Sequence, residues 1–468
     1  MSKKLNITFC SFPDFSGNAK ALYEYMKKRY KNDMNFTWII YNKENVDKLS
    51  KKNINVILIG TAEFKKYIKT TDVFFTTQGN LDGDKTKKSI YIELWHGIGP
   101  KPVGYLCNHP SEDDIKGYNN IRKIVDYIMV PNDFWKVVYS AIFHIEPSRI
   151  KSLGMPLLTY FDKANGKDNL KKIGIDYKKY KKIIMFMPTY KKGFNHNDVK
   201  KVNLKNVFNF EEYDENILNN YLCENNYLLL VKRHPGEQMI NKETQLSNII
   251  NVDEKKLINQ NLSINELINA FDLLITDYSS IGTEFIYLKK PVLYVINDLA
   301  EYIKERGIIF SNFDFWCAGP QVDNITDCVK EMNKLLIDNN YYRNERLKCY
   351  DLWFNGMPKN PSKAICDFIF YDNQIRKDFQ KYISEEEKLQ DRINQLEKEK
   401  EIDYNNHKKV VEKFEKEKEI DYNNHKQAIE NLEKDKINLT NELKRVYNSN
   451  SWKIISMFRK IKHGGSKK

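Results

Sequence analysis

The sequence contains neither the glycine fingerprint GxGxxG nor a GxxxxGK[ST] phosphate loop, so no standard glycine cradle accounts for nucleotide binding. No pair of acidic residues makes a persuasive metal site. Any phosphate handled here is therefore expected to be neutralised by Lys, Arg, His and helix dipoles, with no metal and no cofactor. CxxC pairs are missing as well. The seven cysteines (10, 107, 223, 317, 328, 349 and 366) are scattered and odd in number, which argues against a disulfide framework or a zinc site and for a reducing compartment. No apolar run approaches the ~20 residues that a membrane span needs. The opening MSKKLNITFCSF passes straight into a strand pattern without a signal-peptide core. A soluble or peripheral protein is expected.

What the chain does have is positive charge, +13 over 468 residues with 30% charged, enough length for two or three domains and a preference for anionic partners. The charge is spread along the chain and no nucleic-acid motif appears, so a nucleic-acid role is disfavoured.

The stretch that organises the rest is Phe271 to Val295, FDLLITDYSSIGTEFIYLKKPVLYV. Leu273–Ile275 is too short for a free-standing helix and reads as a strand covered on both faces. The polar turn Thr276-Asp277-Tyr278-Ser279-Ser280 follows, then a helical pattern, then Pro291 and a second strand. A strand feeding a helix through a Ser-rich turn can cradle a phosphate, because the first helical turn leaves N–H groups unpaired and the dipole favours an anion. The competing reading is that Ser279 or Ser280 merely caps a helix.

Around that stretch, strand patterns at Asn6–Cys10, Phe36–Ile40, Val56–Ile59, Val73–Thr76, Ser89–Leu94 and Tyr127–Val130 alternate with helical ones and predict a first α/β domain over 1–160. The Lys-rich run 162–182 reads as a linker. Further strands at Ile183–Met187, Leu228–Lys232, Ile249–Val252, Leu273–Thr276 and Val292–Val295 predict a second domain within 161–383. Two α/β halves facing a cleft form a natural site for two substrates.

From 384 the composition turns to Glu, Lys and Gln without Gly or Pro. The string EKEKEIDYNNHK occurs at 397–408 and again at 415–426, a period of five helical turns. A long helix or coiled coil over 384–448 is expected, the coil offering a route to a homo-oligomer. The tail 449–468 mixes Trp452, Ile454, Ile455 and Phe458 with Lys453, Arg459, Lys460 and Lys462, which suits an amphipathic helix on an anionic membrane surface; the competing reading is a helix packed on the protein itself or on a partner.

Two histidines stand out by setting. His96, in Trp95-His96-Gly97, follows the strand Ser89–Leu94, and His234, in Lys232-Arg233-His234-Pro235, follows Leu228–Lys232. One histidine at a strand end is structural by default; two, one in each domain, point to a shared cleft. Thr189, in Met187-Pro188-Thr189-Tyr190, offers a hydroxyl at another strand end, and Arg306 a bidentate phosphate contact.

Together with Lys290-Pro291-Val292 and Asp298…Tyr302…Arg306-Gly307…Gly319-Pro320, these pieces resemble the CDP-glycerol glycerophosphotransferase family, which contains the teichoic-acid primases and polymerases and related capsule enzymes. The resemblance implies a GT-B fold of two Rossmann-like domains. It also implies transfer of a polyol phosphate from a CDP-activated polyol to a hydroxyl of a lipid-linked or polysaccharide acceptor, with CMP released. By that resemblance His96 is the base and His234 stabilises the transferring phosphate or the leaving CMP. Thr189, Lys232, Arg233, Ser279, Ser280 and Arg306 hold the donor, Asp277 orients the cradle, and Trp95, Gly97 and Lys101 line the acceptor side. Such an enzyme is expected in the cytoplasm, peripheral on the inner face of the bacterial plasma membrane. The chain departs from the family at Ile98-Gly99-Pro100-Lys101, where Thr-Pro-Leu-Lys is usual, and at Glu284, where Asp is frequent. The alternatives are a GT-B glycosyltransferase using a nucleotide sugar and a non-catalytic scaffold recruited through the coil and tail.

Overall fold

The computed structural model describes residues 4–78, 89–189, 201–202, 206–233, 238–239, 248–310, 312–371 and 385–448. Two parallel sheets dominate residues 1–383. The first is built from β1 (Leu5–Cys10), β2 (Met34–Ile40), β3 (Val56–Leu58), β4 (Val73–Thr76), β5 (Ile90–Glu93), β6 (Tyr127–Val130) and β7 (Ile150–Ser152), in the order β3-β2-β1-β4-β5-β6-β7. Next in the chain come β8 (Lys182–Phe186), β9 (Lys201–Val202), β10 (Tyr227–Val231), β11 (Gln238–Met239), β12 (Ile249–Asn251), β13 (Leu273–Thr276), β14 (Val292–Val295) and β15 (Gln321–Val322). The second sheet runs β12-β10-β8-β13-β14-β15, while β9 and β11 pair separately.

The strand sequences explain the arrangement. Tyr227–Val231, Leu273–Thr276 and Val292–Val295 are buried at every position, as central parallel strands covered on both faces must be. Each sheet reverses its winding direction once, between β1 and β4 in the first and between β8 and β13 in the second. Ligands bind outside the carboxyl ends of strands at such reversals.

Helices fill the layers around the sheets. Helix α1 (Gly17–Tyr30) covers the first sheet, and α2 (Asp133–Phe143), N-capped by Asn132, packs against β6 and the edge strand β7. Helix α3 (Ser280–Phe285) starts directly after the polar turn; Lys289, left-handed at φ 56°, ends the segment ahead of Pro291. Helix α4 (Leu299–Glu305) follows β14. Helix α5 (Pro361–Tyr371) returns to the first sheet: Ile365, Phe368, Ile369 and Phe370 share a core with Phe9, Trp38 and Phe75, and Phe370 lies 5.8 Å from Tyr30. Residues from the 161–383 segment thus complete the first half's core.

The Lys-rich run 162–182 is not a bare linker. It carries the end of a helix over Leu158–Lys163, a helix over Gly166–Lys172 and a single turn at Tyr177–Lys179, with Leu170, Ile173 and Ile175 buried. Its aliphatic Leu and Ile residues turn inward, while Lys163, Lys167, Lys171 and Lys172 occupy the solvent side.

Residues 384–468 form a separate unit, whose described part is one α-helix, α6 (Glu385–Asn448, 64 residues). At 1.5 Å per residue it is roughly 95 Å long. Ile429, Leu432, Leu439 and Leu443 are exposed along it. The tail 449–468 lies outside the described residues.

Candidate active site

The loop after β5 is held by buried polar groups. Glu93, fully buried at the strand end, accepts the Trp95 N–H at 2.7 Å and the Thr76 hydroxyl at 2.8 Å. Asn18 on α1, equally buried, donates to the carbonyls of Leu94 (3.2 Å) and Trp95 (2.9 Å) and accepts the Leu157 N–H (3.0 Å). The Tyr139 hydroxyl on α2 donates to the Gly97 carbonyl at 2.8 Å. These bonds hold Trp95 in the left-handed region, φ 54°, a conformation that costs a non-glycine residue about 1–2 kcal/mol. The Trp95 ring wedges against Phe143, 4.9 Å between centroids, and His96 enters the cleft.

His96 Nδ1 lies 2.9 Å from the Thr77 carbonyl oxygen. A carbonyl only accepts, so Nδ1 carries the proton and Nε2 keeps its lone pair. The ring is open to solvent in the cleft yet walled by protein. Desolvation pushes its pKa below the usual histidine value, partly offset by the Thr77 carbonyl and reinforced by Lys101. His96 is therefore a neutral base near pH 7.

The opposite wall comes from the second sheet. Buried Asp277 accepts the backbone N–H of Thr189 at 2.7 Å and of Ser279 at 3.2 Å, joining the turns after β8 and β13. The Thr276 hydroxyl donates to the Met187 carbonyl at 2.7 Å and tightens the same junction. Ser279 stands at the N-cap of α3 but makes no side-chain capping bond, so the capping role is not taken up. Thr189 Oγ1 and Thr77 Oγ1 are buried cleft hydroxyls without hydrogen-bond partners among the described residues.

The cations differ in availability. Lys232 pairs with Glu254 at 2.8 Å and donates to the Arg233 carbonyl at 3.0 Å; Arg233 lies 5.4 Å from the Phe186 ring and donates to the Val207 carbonyl. Lys101 and Arg306 make no side-chain hydrogen bond or ion pair among the described residues. Burial, then repulsion from Arg306, lowers the Lys101 pKa, and Asp277 offsets part of that, so the pair concentrates positive charge beside a buried carboxylate.

The two halves meet at this point. A Cβ on Gly97 would fall 2.5 Å from Ser280 Oγ and 2.9 Å from Glu284 Oε1, and one on Gly99 would fall 3.1 Å from Ser280 Cα. The Ile309 N–H donates to the Pro100 carbonyl at 2.9 Å. Trp95, His96, Gly97, Lys101, Thr189, Lys232, Arg233, Ser279 and Ser280 all line one cleft of about 430 Å³. Asp277 does not line it but holds the Thr189 and Ser279 backbone that does, and Arg306 is not among the lining residues, though its charge is felt by Lys101. His234 lies outside the described residues. Sequence reasoning missed Asn18, Glu93 and Tyr139; the polar run SFPDFSGN at the carboxyl end of β1 was the one available signal for Asn18.

Residues 1–371 match the family described as CDP-Glycerol:Poly(glycerophosphate) glycerophosphotransferase. The chain is 27% identical over 366 residues to a teichoic acid poly(glycerol phosphate) polymerase of Bacillus spizizenii, covering 74% of this chain and 86% of that protein. It is 29% identical over 312 residues to a teichoic acid glycerol-phosphate primase of Bacillus subtilis, covering 63% and 75%. The fold matches the solved wall teichoic acid polymerase TagF with a TM-score of 0.64 at 23% identity, covering 82% of this chain and 91% of that one.

Proposed function

The chain belongs to the CDP-glycerol:poly(glycerophosphate) glycerophosphotransferase family, and we propose that it transfers glycerol phosphate, or a similar polyol phosphate, from a CDP-activated donor to a hydroxyl of a lipid-linked or polymeric acceptor. It is a transferase of the teichoic-acid type, and the nucleotide-sugar glycosyltransferase reading is not favoured. The two parallel sheets with facing reversals support the finer description as GT-B.

One observation carries the mechanism: a neutral, Nδ1-protonated His96 shares a cleft with the hydroxyls of Thr189, Ser279 and Ser280. The acceptor oxygen attacks the phosphorus that bears the polyol. A new P–O bond forms, and the bond to the bridging oxygen breaks. The hydroxyl proton passes to His96 Nε2, and CMP leaves with the bridging oxygen and its electron pair. A positioned base supplies on the order of 10²–10⁴ in rate. Charge on the diphosphate is met by Lys101 and Arg306 together with the turn's hydroxyls, without a metal, and phosphoryl transfer needs mainly such positioning and charge stabilisation. In this scheme Lys232 and Arg233 shape the donor wall, and His234 assists the transferring phosphate or the leaving CMP. Trp95, Gly97 and Lys101 border the acceptor. A screen of the purified protein against CDP-glycerol, CDP-ribitol and nucleotide sugars tests the reading: CMP release from a CDP-polyol supports it, and turnover of nucleotide sugars alone overturns it.

No helix among the described residues is long and apolar enough to cross a membrane. We place the protein in the cytoplasm on the inner face of the plasma membrane, held by the tail 449–468 on anionic lipid, as the mix of Trp452, Phe458 and basic residues supports. The exposed stripe on α6 supports self-association as a coiled coil, and synthesis of capsule-like polymers remains within the reading. Deleting 451–468 should release the protein from phosphatidylglycerol vesicles; unchanged binding at low salt overturns the tail's role.

A further inference from the structure

Glu284 sits on α3 at the seam between the halves. It is 3% exposed, lines the cleft that holds His96, and makes no ion pair among the described residues. The Ile98 N–H faces its carboxyl, while Oε1 is buried and has no hydrogen-bond partner among the described residues. Gly97 is the residue that lets this contact exist, since a Cβ there would lie 2.9 Å from Oε1 and 2.5 Å from Ser280 Oγ. The carboxyl therefore touches the His96 loop of the first half and stands beside the Ser279–Ser280 turn of the second.

We propose that Glu284 is a positioning residue: as an uncharged carboxyl it keys the His96–Ile98 loop to the Ser279–Ser280 turn, and its ionisation sets the alkaline limit of donor binding. This rests on the reading above, in which the donor diphosphate lies on that turn. Burial pushes the Glu284 pKa up to about 8, outweighing the Ile98 N–H. The titratable groups around it do not neutralise it. Tyr139 on α2 keeps its proton well above its ordinary range, through burial and then through Glu284 and Glu93. His96 is neutral, Lys101 faces Arg306, and Lys232 is engaged with Glu254 across the cleft. An ionised Glu284 thus places an unpaired negative charge beneath Ser280, where it repels a phosphate.

The test compares wild type, Glu284→Gln and Glu284→Ala in the full chain. CDP affinity is measured by calorimetry from pH 6.5 to 9.5, beside CMP release from CDP-glycerol. Wild-type affinity should fall by about tenfold per pH unit above about 8. Glu284→Gln should keep at least roughly half the affinity at pH 7 and lose that limb, because the amide has nearly the same shape, still offers an oxygen towards the Ile98 N–H, and cannot ionise. Glu284→Ala should lose both. An unchanged alkaline limb in Glu284→Gln assigns it to another group, such as Lys101, and overturns the proposal. So does a Gln variant that melts like wild type but binds as poorly as Ala at pH 7.

A second readout needs no activity. The folded carboxyl binds its proton more tightly than the unfolded one, so wild-type stability falls as pH rises from about 4.5 towards 8. The Glu284→Gln melting temperature should gain on wild type across that window, and a flat difference overturns the buried-acid assignment. Failure of CDP to bind wild type, with this melting signature present, would refute the donor reading and leave the seam intact.

Discussion

Gly97→Ala is the sharpest steric probe of the site. Gly97 is not in the left-handed region, so alanine brings no backbone strain and acts only through its methyl group. That methyl would stand 2.5 Å from Ser280 Oγ, 2.9 Å from Ser280 Cβ and 2.9 Å from Glu284 Oε1. The hydroxyl can rotate away, but the Ser280 Cβ cannot. Ordinary carbon–carbon contact needs about 3.5 Å or more, so the His96 loop and the serine turn must part by roughly 0.6 Å to 1 Å. A misplacement of about 1 Å at a reacting centre costs on the order of 100-fold, so kcat should fall by about 10-fold to 100-fold. That loss corresponds to roughly 1.4–2.7 kcal/mol of transition-state stabilisation. CMP release from CDP-glycerol reads the loss, and a melting curve verifies the fold. Gly117→Ala, whose added methyl meets nothing within 4 Å, serves as the matched control and should leave turnover unchanged. A Gly97→Ala enzyme within about twofold of wild type would refute the close apposition of the two walls as a requirement for turnover.

Asn18→Ala removes two donors from the Leu94 and Trp95 carbonyls and the acceptor of the Leu157 N–H. Buried groups left unpaired cost about 1–3 kcal/mol each, so melting should drop and kcat should fall while CDP affinity, measured by calorimetry, stays. Lys20, fully buried on α1, pairs with Glu266 of the second half. Lys20→Met should destabilise by about 3–5 kcal/mol in denaturant melts, and adding Glu266→Gln should recover more than half of that, since the orphaned charge is then removed. The depressed His96 pKa places the acid limb of kcat/KM below pH 6.5, because activity is lost as falling pH protonates the base. A limb above pH 7 would contradict that assignment.

The strands were legible where an apolar run is covered on both faces, as in Leu273–Thr276 and Val292–Val295. The edge strands Ile150–Ser152 and Gln321–Val322 were not, being too short and too polar to carry a pattern. His96 and the serine pair were visible because they follow strands directly. Asn18 and Glu93 were hidden for a different reason: a buried polar residue looks like any surface one until its partner is known, and Asn18 acts on carbonyls 76 and 77 positions away. Lys20 reads as one more basic residue on a surface helix, yet its acidic partner is 246 positions on. The inward turn of Leu170, Ile173 and Ile175 was masked by the lysines between and around them.

The most direct test follows the phosphorus from a CDP-polyol labelled on the polyol phosphate, with purified wild type and His96→Ala and a hydroxyl-bearing polyol-phosphate acceptor. The account predicts that wild type places the label in a new phosphodiester with one CMP released per transfer. His96→Ala should bind CDP normally yet transfer at least about 100-fold more slowly. Transfer at the wild-type rate without the imidazole, or CMP formed with no labelled phosphodiester, would contradict it.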